Sequence, residues 1–202
     1  MNLIFDFDGT ICDSLETVVE IVNNQLPKYG KIPATSELVR KLGIKKLILE
    51  SKIPKTQIPK FIKNSRQKMF EVISSLEIFP ELTGVIIELS KLHTLGILTT
   101  NSEENARKFL SAHKLLKYFD FVYSELSVFG KHHKLKKILS KYSFATKETY
   151  YVGDETRDIE ATKKIDIKSV AVTWGYESKS ILAKLNPDYL ISQPKELLNI
   201  FK

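Results

Sequence analysis

Two acids spaced by two close an apolar stretch near the start of the chain, in Phe5-Asp6-Phe7-Asp8-Gly9-Thr10. In a regular strand that spacing turns Asp6 and Asp8 to the same side. Carboxylates so close repel unless a cation or a proton compensates them. In such a pair one can serve as a nucleophile and the other as general acid and base. The plain alternative is a strand ending in a polar turn, with Asp-Gly as its turn dipeptide. A second acidic pair, Asp154 and Asp158, follows Tyr150-Tyr151-Val152-Gly153. A spacing of four places both on one face of the turn that opens the next helix. Hard oxygen ligands of this kind hold Mg²⁺, which keeps its waters and takes one or two carboxylates plus a substrate phosphate. Helix N-capping by Asp154 is the competing explanation.

Two further segments offer charge and donors. Thr99-Thr100-Asn101-Ser102 ends the apolar run Leu95-Gly96-Ile97-Leu98. Hydroxyls, an amide and the N–H groups of a helix start make an anion site. They also make an ordinary N-cap, with Asn101 or Ser102 capping and Glu104 or Asn105 behind. Lys131, after Gly130 and before a helix expected near His133, can neutralise charge between a carboxylate and a phosphate as a compact point charge. In a lysine-rich chain it can equally be a solvated surface residue, and only its position in the fold would promote it.

All four segments lie at or just past the end of a strand-like run. Such runs recur at 3–7, 94–99, 119–123, 149–152, 169–173 and 188–191. Several are continuously apolar, as strands buried on both faces are. Helical periodicity separates them at 82–91, 103–116 and 135–142. Alternation of this kind predicts an α/β fold, a parallel sheet layered between helices, whose C-terminal strand edge is the place for ligands. Residues 14–78 break the pattern. No strand is expected there, but helices at 15–26, 35–42, 45–51 and 59–76, punctuated by Pro27, Pro33, Pro54 and Pro59. This stretch reads as a helical lobe inserted after the first strand.

Taken together, order and spacing resemble the haloacid dehalogenase superfamily of phosphohydrolases. Asp6-Phe7-Asp8-Gly9-Thr10 is similar to its first motif, Leu98-Thr99 to the second, Lys131 to the third, and Gly153-Asp154-Glu155-Thr156-Arg157-Asp158 to the fourth. The helical insert and the tail through Trp174, Gly175 and Tyr176 look like the subgroup of phosphoglycolate phosphatases and β-phosphoglucomutases. The resemblance implies a Rossmann-like three-layer core at 1–13 and 79–202 with a helical cap at 14–78. It implies a phosphatase of small phosphorylated metabolites that works through an aspartyl-phosphate. Asp6 would be the nucleophile and Asp8 the general acid and base. Thr99, Thr100 and Asn101 would bind phosphate, and Lys131 would hold Asp6 and the phosphate charge. The cofactor would be Mg²⁺, on Asp6, Asp8 through its backbone carbonyl, and Asp154, with Asp158 in support. Lys45, in the loop joining two cap helices, would lie near the leaving group. Alternatives within the same resemblance are a phosphomutase and a non-enzymatic phosphate-binding protein. One departure stands out: His132-His133-Lys134 follows Lys131 where the subgroup has Pro-x-Pro, which leaves Lys134 a rival for the role. The cap, about 65 residues long, is also modest for the type.

The net charge of +7 raises the question of nucleic acid, since basic surfaces attract polyanions. Only Arg40, Arg66, Arg107 and Arg157 among the 31 basic residues are arginine, the side chain suited to bidentate phosphate and guanine contacts, and the lysines are dispersed. No nucleic-acid partner is expected. The sequence has no apolar run of the roughly 20 residues that cross a bilayer, and acids interrupt its N-terminal stretch, so no membrane partner or signal peptide is expected. A lone cysteine, Cys12, fits a reducing compartment, and a cytoplasmic monomer or weak homodimer is the expectation. Cys12 reads as a small core hydrophobe, Trp174 as packing at a strand end. His93, His113, His132 and His133 lack metal-ligand spacing.

Overall fold

The computed structural model describes residues 1–26, 34–42, 53–125 and 130–202 of the chain. Six strands form one parallel sheet: β1 (Asn2–Phe5), β2 (Thr94–Thr99), β3 (Phe121–Ser124), β4 (Thr149–Gly153), β5 (Lys168–Val172) and β6 (Tyr189–Ile191). Their order across the sheet is β3-β2-β1-β4-β5-β6. The α/β expectation and all six strands are therefore found. After β3 the chain crosses back to place β4 beside β1, so the order reverses between these two central strands. Ligands in open parallel sheets bind beyond the strand ends at such a reversal.

The sheet is buried because its residue pattern leaves nothing for water. Leu3, Ile4 and Phe5 are fully covered, and alternation sends them to opposite faces. Leu3 and Phe5 join Leu95, Ile97, Val152 and Val170 on one face. That face is covered by α4 (Leu82–Ser90), α5 (Glu103–Ala112) and α9 (Glu196–Phe201). Ile4, Leu98, Phe121 and Tyr151 face the other way, against α6 (Lys131–Tyr142) and α7 (Thr156–Lys163). Tyr151 can be buried there because its hydroxyl donates to the Leu98 carbonyl at 2.7 Å. A short helix, α8 (Lys179–Ala183), lies before β6.

Between β1 and α4 lie α1 (Leu15–Asn23), α2 (Ser36–Leu42) and α3 (Ile58–Val72), with no strand among the described residues. Pro59 sits in the first turn of α3, where its missing N–H costs nothing. The chain leaves and re-enters the core side by side: Asp13 N–H donates to the Glu77 carbonyl at 2.9 Å and Phe79 N–H to the Ile11 carbonyl at 3.3 Å. The helix expected at 45–51, and Lys45 with it, lies outside the described residues.

Several element ends differ from expectation, and three of them have a clear local reason. β1 stops at Phe5, because the Phe7 carbonyl gathers the N–H groups of Thr10, Ile11 and Cys12 into a tight loop. α5 ends at Ala112 rather than 116, where Lys114 turns to a left-handed φ of 59°. α6 starts at Lys131, earlier than periodicity indicated, because its first turn, Lys-His-His-Lys, carries no apolar stripe.

At the other edge, Asp188 accepts from Ser169 N–H at 2.9 Å, from Ser169 Oγ at 3.0 Å and from Lys168 Nζ at 2.9 Å, which ties the start of β5 to the approach to β6. The backbone and side-chain donors of Ser169, with the Lys168 ammonium, hold the Asp188 carboxyl below its usual range despite partial burial. Asp188→Ala should destabilise the fold by about 1–2 kcal/mol. Urea titration checks it; an unchanged midpoint would show that these bonds contribute nothing net.

Candidate active site

The loop after β1 carries Asp6 and Asp8, the end of β2 and the loop beyond it carry Thr99 to Ser102, the start of α6 carries Lys131, the turn after β4 carries Asp154 and the first turn of α7 carries Asp158. All come from the C-terminal edge of the sheet. Asp6 extends β1 by one bond, its N–H donating to the Val152 carbonyl at 2.8 Å, while its own Oδ1 accepts from Phe7 N–H at 2.8 Å. Lys131 reaches its other oxygen: Nζ stands 2.8 Å from Asp6 Oδ2 and 2.5 Å from Asp158 Oδ1. Lys131 is 2% exposed and Asp6 1%, so the pair is not a surface ion pair of little consequence. Burial works to lower the lysine, and the charges of Asp158 and Asp6 outweigh it and raise it, which keeps it an ammonium. Lys134 lies elsewhere, its ammonium 5.1 Å from the Tyr123 ring centre.

Asp154 is fully buried, with Oδ1 accepting from Thr10 Oγ1 and Oδ2 from Tyr176 N–H, both at 2.7 Å. Burial, then the charges of Glu155, Asp6 and Asp158, push its carboxyl well above the usual range. Burial likewise pushes Asp158 up to about 7, against the pull of Lys131. Asp6, Asp154 and Asp158 each turn a carboxylate oxygen into one spot, all within 4.8 Å of one another. Three crowded acids, of which Asp6 and Asp158 share one ammonium and Asp154 has only neutral donors among the described residues, suit a cation, and hard oxygens in this number are what Mg²⁺ takes. The cluster therefore fits a divalent cation. Asp158 also serves as N3 of a capping box with Glu155 at the start of α7, so Glu155, not Asp154, is the N-cap residue. Backbone bulk is excluded at this spot. A Cβ on Gly9, whose φ is +74°, would stand 2.1 Å from Asp154 Oδ2, and one on Gly175 would stand 2.3 Å from the Gly9 carbonyl.

Asp8 faces another way. Its Oδ1 accepts from Ser14 Oγ at 2.8 Å and its Oδ2 from Asn101 Nδ2 at 3.0 Å. Burial pushes it up to about 6, with the Ser14 bond pulling against the shift and the charge of Asp6 adding to it. Two carboxylates two residues apart thus have different surroundings, one locked to a lysine and one held by neutral donors. The Asp8 side chain is not among the three clustered acids. Of the expected phosphate-binding residues, Thr99 is fully buried and its Oγ1 accepts from Asn101 N–H at 2.9 Å. The Asn101 side chain is turned to Asp8, and Thr100 is held by two arginines. Its hydroxyl accepts from Arg157 Nη2 at 3.2 Å and its carbonyl from Arg66 Nη2. Ser102, the other capping candidate, is the N-cap of α5 and accepts from Asn105 N–H at 3.1 Å.

Cys12 is a fully buried core residue, as expected. Trp174 packs against Phe79 with ring centres 6.3 Å apart and donates Nε1–H to the Thr10 carbonyl at 3.1 Å. No histidine joins a potential metal cluster among the described residues. Residue reading missed several neighbours of the site. Ser14 Oγ holds Asp8 and Tyr176 N–H holds Asp154, and the two hydroxyls stand 2.8 Å apart. Arg66 and Asn105 sit inside helices with nothing in their spacing to mark them. Arg157 was visible within the fourth segment, but its reach to Thr100 depends on the fold.

Glu177 adds a buried acid behind the cluster, at 1% exposure, accepting from Thr156 N–H at 2.7 Å. Burial, then the charge of Glu155, push it up to about 7. The folded state then holds this proton where the unfolded chain has lost it. Wild type accordingly loses stability as pH rises from about 4.5 through about 7. Glu177→Gln keeps the acceptor and removes the charge. It should raise stability by up to about 3 kcal/mol at pH 8 and change little at pH 4.5. Thermal melts across pH check this; a stability gain that does not grow with pH would contradict it.

A buried carboxylate paired with a lysine, beside an acid cluster at the strand reversal of an all-parallel sheet, is the site this fold builds. The chain belongs to the haloacid dehalogenase-like hydrolase family, whose model matches residues 3–172. It is similar to the phosphoglycolate phosphatase of Synechococcus elongatus, with 31% identity over 97% of this chain and 94% of the relative. It is also similar to the pyrophosphatase PpaX of Bacillus mycoides, at 28% identity over 98% and 95% of the two chains. Its fold matches that of a haloacid dehalogenase-like family hydrolase from Streptococcus pneumoniae, with a TM-score of 0.83 over 100% of this chain and 98% of the other, at 22% identity. The expectation of a hydrolase of this family, with phosphatases among its relatives, is met. Among the described residues no helix is long and apolar enough to cross a membrane.

Proposed function

We propose that the chain is a Mg²⁺-dependent phosphatase that hydrolyses a small phosphomonoester by way of an aspartyl-phosphate on Asp6. The observation that carries this reading is Asp6 itself, buried, held by Lys131 at 2.8 Å and grouped with Asp154 and Asp158. An Asp6 oxygen attacks phosphorus, and the bond from phosphorus to the ester oxygen breaks. Asp8 gives its proton to the departing oxygen, a task suited to a carboxyl raised to about 6. Asp8 then takes a proton from water, whose oxygen attacks the phosphorus. Inorganic phosphate leaves and the Asp6 carboxylate is restored. Lys131 fixes the Asp6 rotamer and offsets phosphoryl charge; the Thr99 hydroxyl and the Thr100 N–H meet the phosphoryl oxygens, while the Asn101 side chain holds Asp8. Asp6, Asp154 and the Asp8 carbonyl would hold Mg²⁺, with Asp158 in support. When bound, the ion supplies the neutralisation of the equatorial oxygens that phosphoryl transfer demands.

Residues 14–78 act in this reading as a cap over a core at 1–13 and 79–202. The substrate is a small phosphorylated metabolite, with phosphoglycolate the first to try given the Synechococcus relative and pyrophosphate the second. Lys45 is proposed to contact the leaving group from the cap. No nucleic acid or membrane takes part, and the enzyme works as a cytoplasmic monomer or weak homodimer. A panel of phosphorylated metabolites with purified protein and Mg²⁺, scored for phosphate release, tests the reading. EDTA should remove the activity, Mg²⁺ should restore it, and Ca²⁺ should inhibit, because its looser coordination misplaces the carboxylate for in-line attack. Full activity in chelator would sink the metal assignment. Inertness toward the whole panel would sink the phosphatase.

A further inference from the structure

We infer that Arg66, on α3, is the residue that selects for a negative charge on the leaving group, so that the preferred substrate is a phosphate ester whose alcohol part carries a carboxylate. The inference rests on the phosphatase reading. Arg66 is half-buried and no acid lies within ion-pair distance of it among the described residues. Its guanidinium reaches from the inserted helices to the core and donates to the Thr100 carbonyl. Thr100 is flanked by Thr99 and by Asn101, whose side chain grips Asp8. The backbone of Arg66 is pinned to the same loop. Asn105 Nδ2 donates to the Arg66 carbonyl at 3.1 Å and to Asn101 Oδ1 at 2.8 Å, and Asn105 is 1% exposed. A continuous run of hydrogen bonds therefore joins Arg66 to Asn105, Asn101 and Asp8.

The consequence follows from what Asp8 does. The group that protonates the departing oxygen must touch that oxygen, so the rest of the alcohol projects from the Asp8 side of the site. Among the described residues two arginines reach Thr100 on that side; Arg157 is paired with Glu155, which leaves Arg66, and Lys131 lies on Asp6 and Asp158. Partial burial lowers the Arg66 guanidinium below its usual value, and the charge of Asp8 opposes this only in part. Thr100 engages one of the five N–H donors of a guanidinium, and the planar fork suits bidentate binding of a carboxylate. A cation partly desolvated, with no acid at ion-pair distance among the described residues, is offset when an anion arrives, and this makes the contact selective rather than merely attractive.

Phosphoglycolate and its uncharged amide, which match in shape and differ in charge, are the probes, with p-nitrophenyl phosphate as a generic ester. Wild type should prefer the carboxylate to the amide by about 10- to 100-fold in kcat/KM, the scale of a charge-assisted hydrogen bond. Arg66→Gln should lose that preference through KM for the carboxylate, with the amide changed less than about threefold, and Arg66→Lys should recover part of it. A purely structural clamp on Thr100 would lower both esters together. Equal losses on both, or a wild-type ratio near one, overturn the inference, and the ratio does not depend on any variant folding. If p-nitrophenyl phosphate is also inert, the phosphatase reading falls and this inference with it; if it is hydrolysed without a charge preference, only the inference falls.

Discussion

Asp6→Asn is expected to lower phosphate release by about a thousandfold or more while leaving the melting temperature within a few degrees of wild type. Asparagine keeps the shape, but its single oxygen can replace only one of the two acceptors that orient Asp6, so it keeps either the Phe7 N–H bond or the Lys131 bond. It cannot attack phosphorus, and it removes one of three acids that crowd each other within 4.8 Å. Relief of that crowding offsets whatever Lys131 loses, so the fold has little reason to weaken. Initial rates with saturating Mg²⁺, alongside thermal melts, check both halves. A variant that kept a few per cent of the wild-type rate would show that Asp6 does not carry the covalent step.

Lys131→Met should damage both activity and stability. Methionine fills the volume of the alkyl stem but leaves Asp6 and Asp158 buried without their ammonium, and breaking a buried pair on one side costs about 3–5 kcal/mol. At pH 8, in chelator, we expect a loss near that figure, a drop in Tm on the order of 10 °C for a chain of this size. At pH 5 the loss should be smaller, because Asp158, already raised to about 7 with the lysine present, is protonated and needs no partner. Mg²⁺ should return part of the stability at pH 8, while kcat stays low because the phosphoryl charge remains unmatched. Equal losses at pH 5 and pH 8 would mean that packing, and not charge, is what Lys131 provides.

How far the molecule was legible from its residues depended on how local each signal was. β2 was read end to end, because an apolar run bounded by His93 and Thr100 carries its own limits. That β1 is a buried strand followed from the bare apolar run Leu3-Ile4-Phe5 before Asp6. The end of β1 was not legible, because the loop that stops it is a matter of one carbonyl collecting three N–H groups. The clustering of Asp6, Asp154, Asp158 and Lys131 could be anticipated, since each ends or follows a strand of a parallel sheet and such ends share one edge. Ser14, Tyr176, Asn105 and Arg66 could not. They are ordinary residue types, on helices or in a loop: Tyr176 reaches Asp154 across 22 positions, Arg66 reaches Thr100 across 34 and Asn105 reaches Arg66 across 39, by packing that no local pattern encodes. The same holds for Asn101: a phosphate-site motif suggested an anion-binding amide, and the fold turns that amide to Asp8.

The covalent step on Asp6 is tested most directly by rapid acid quench of the enzyme turning over a labelled phosphate ester with Mg²⁺, followed by peptide mapping. The reading predicts a phosphoryl group on the peptide containing Asp6, at the level of the pre-steady-state burst. That label should be absent in Asp6→Asn and should accumulate in Asp8→Asn, whose water attack is slowed. Phosphate release by wild type with no label on Asp6, or with the label on another residue, would contradict it.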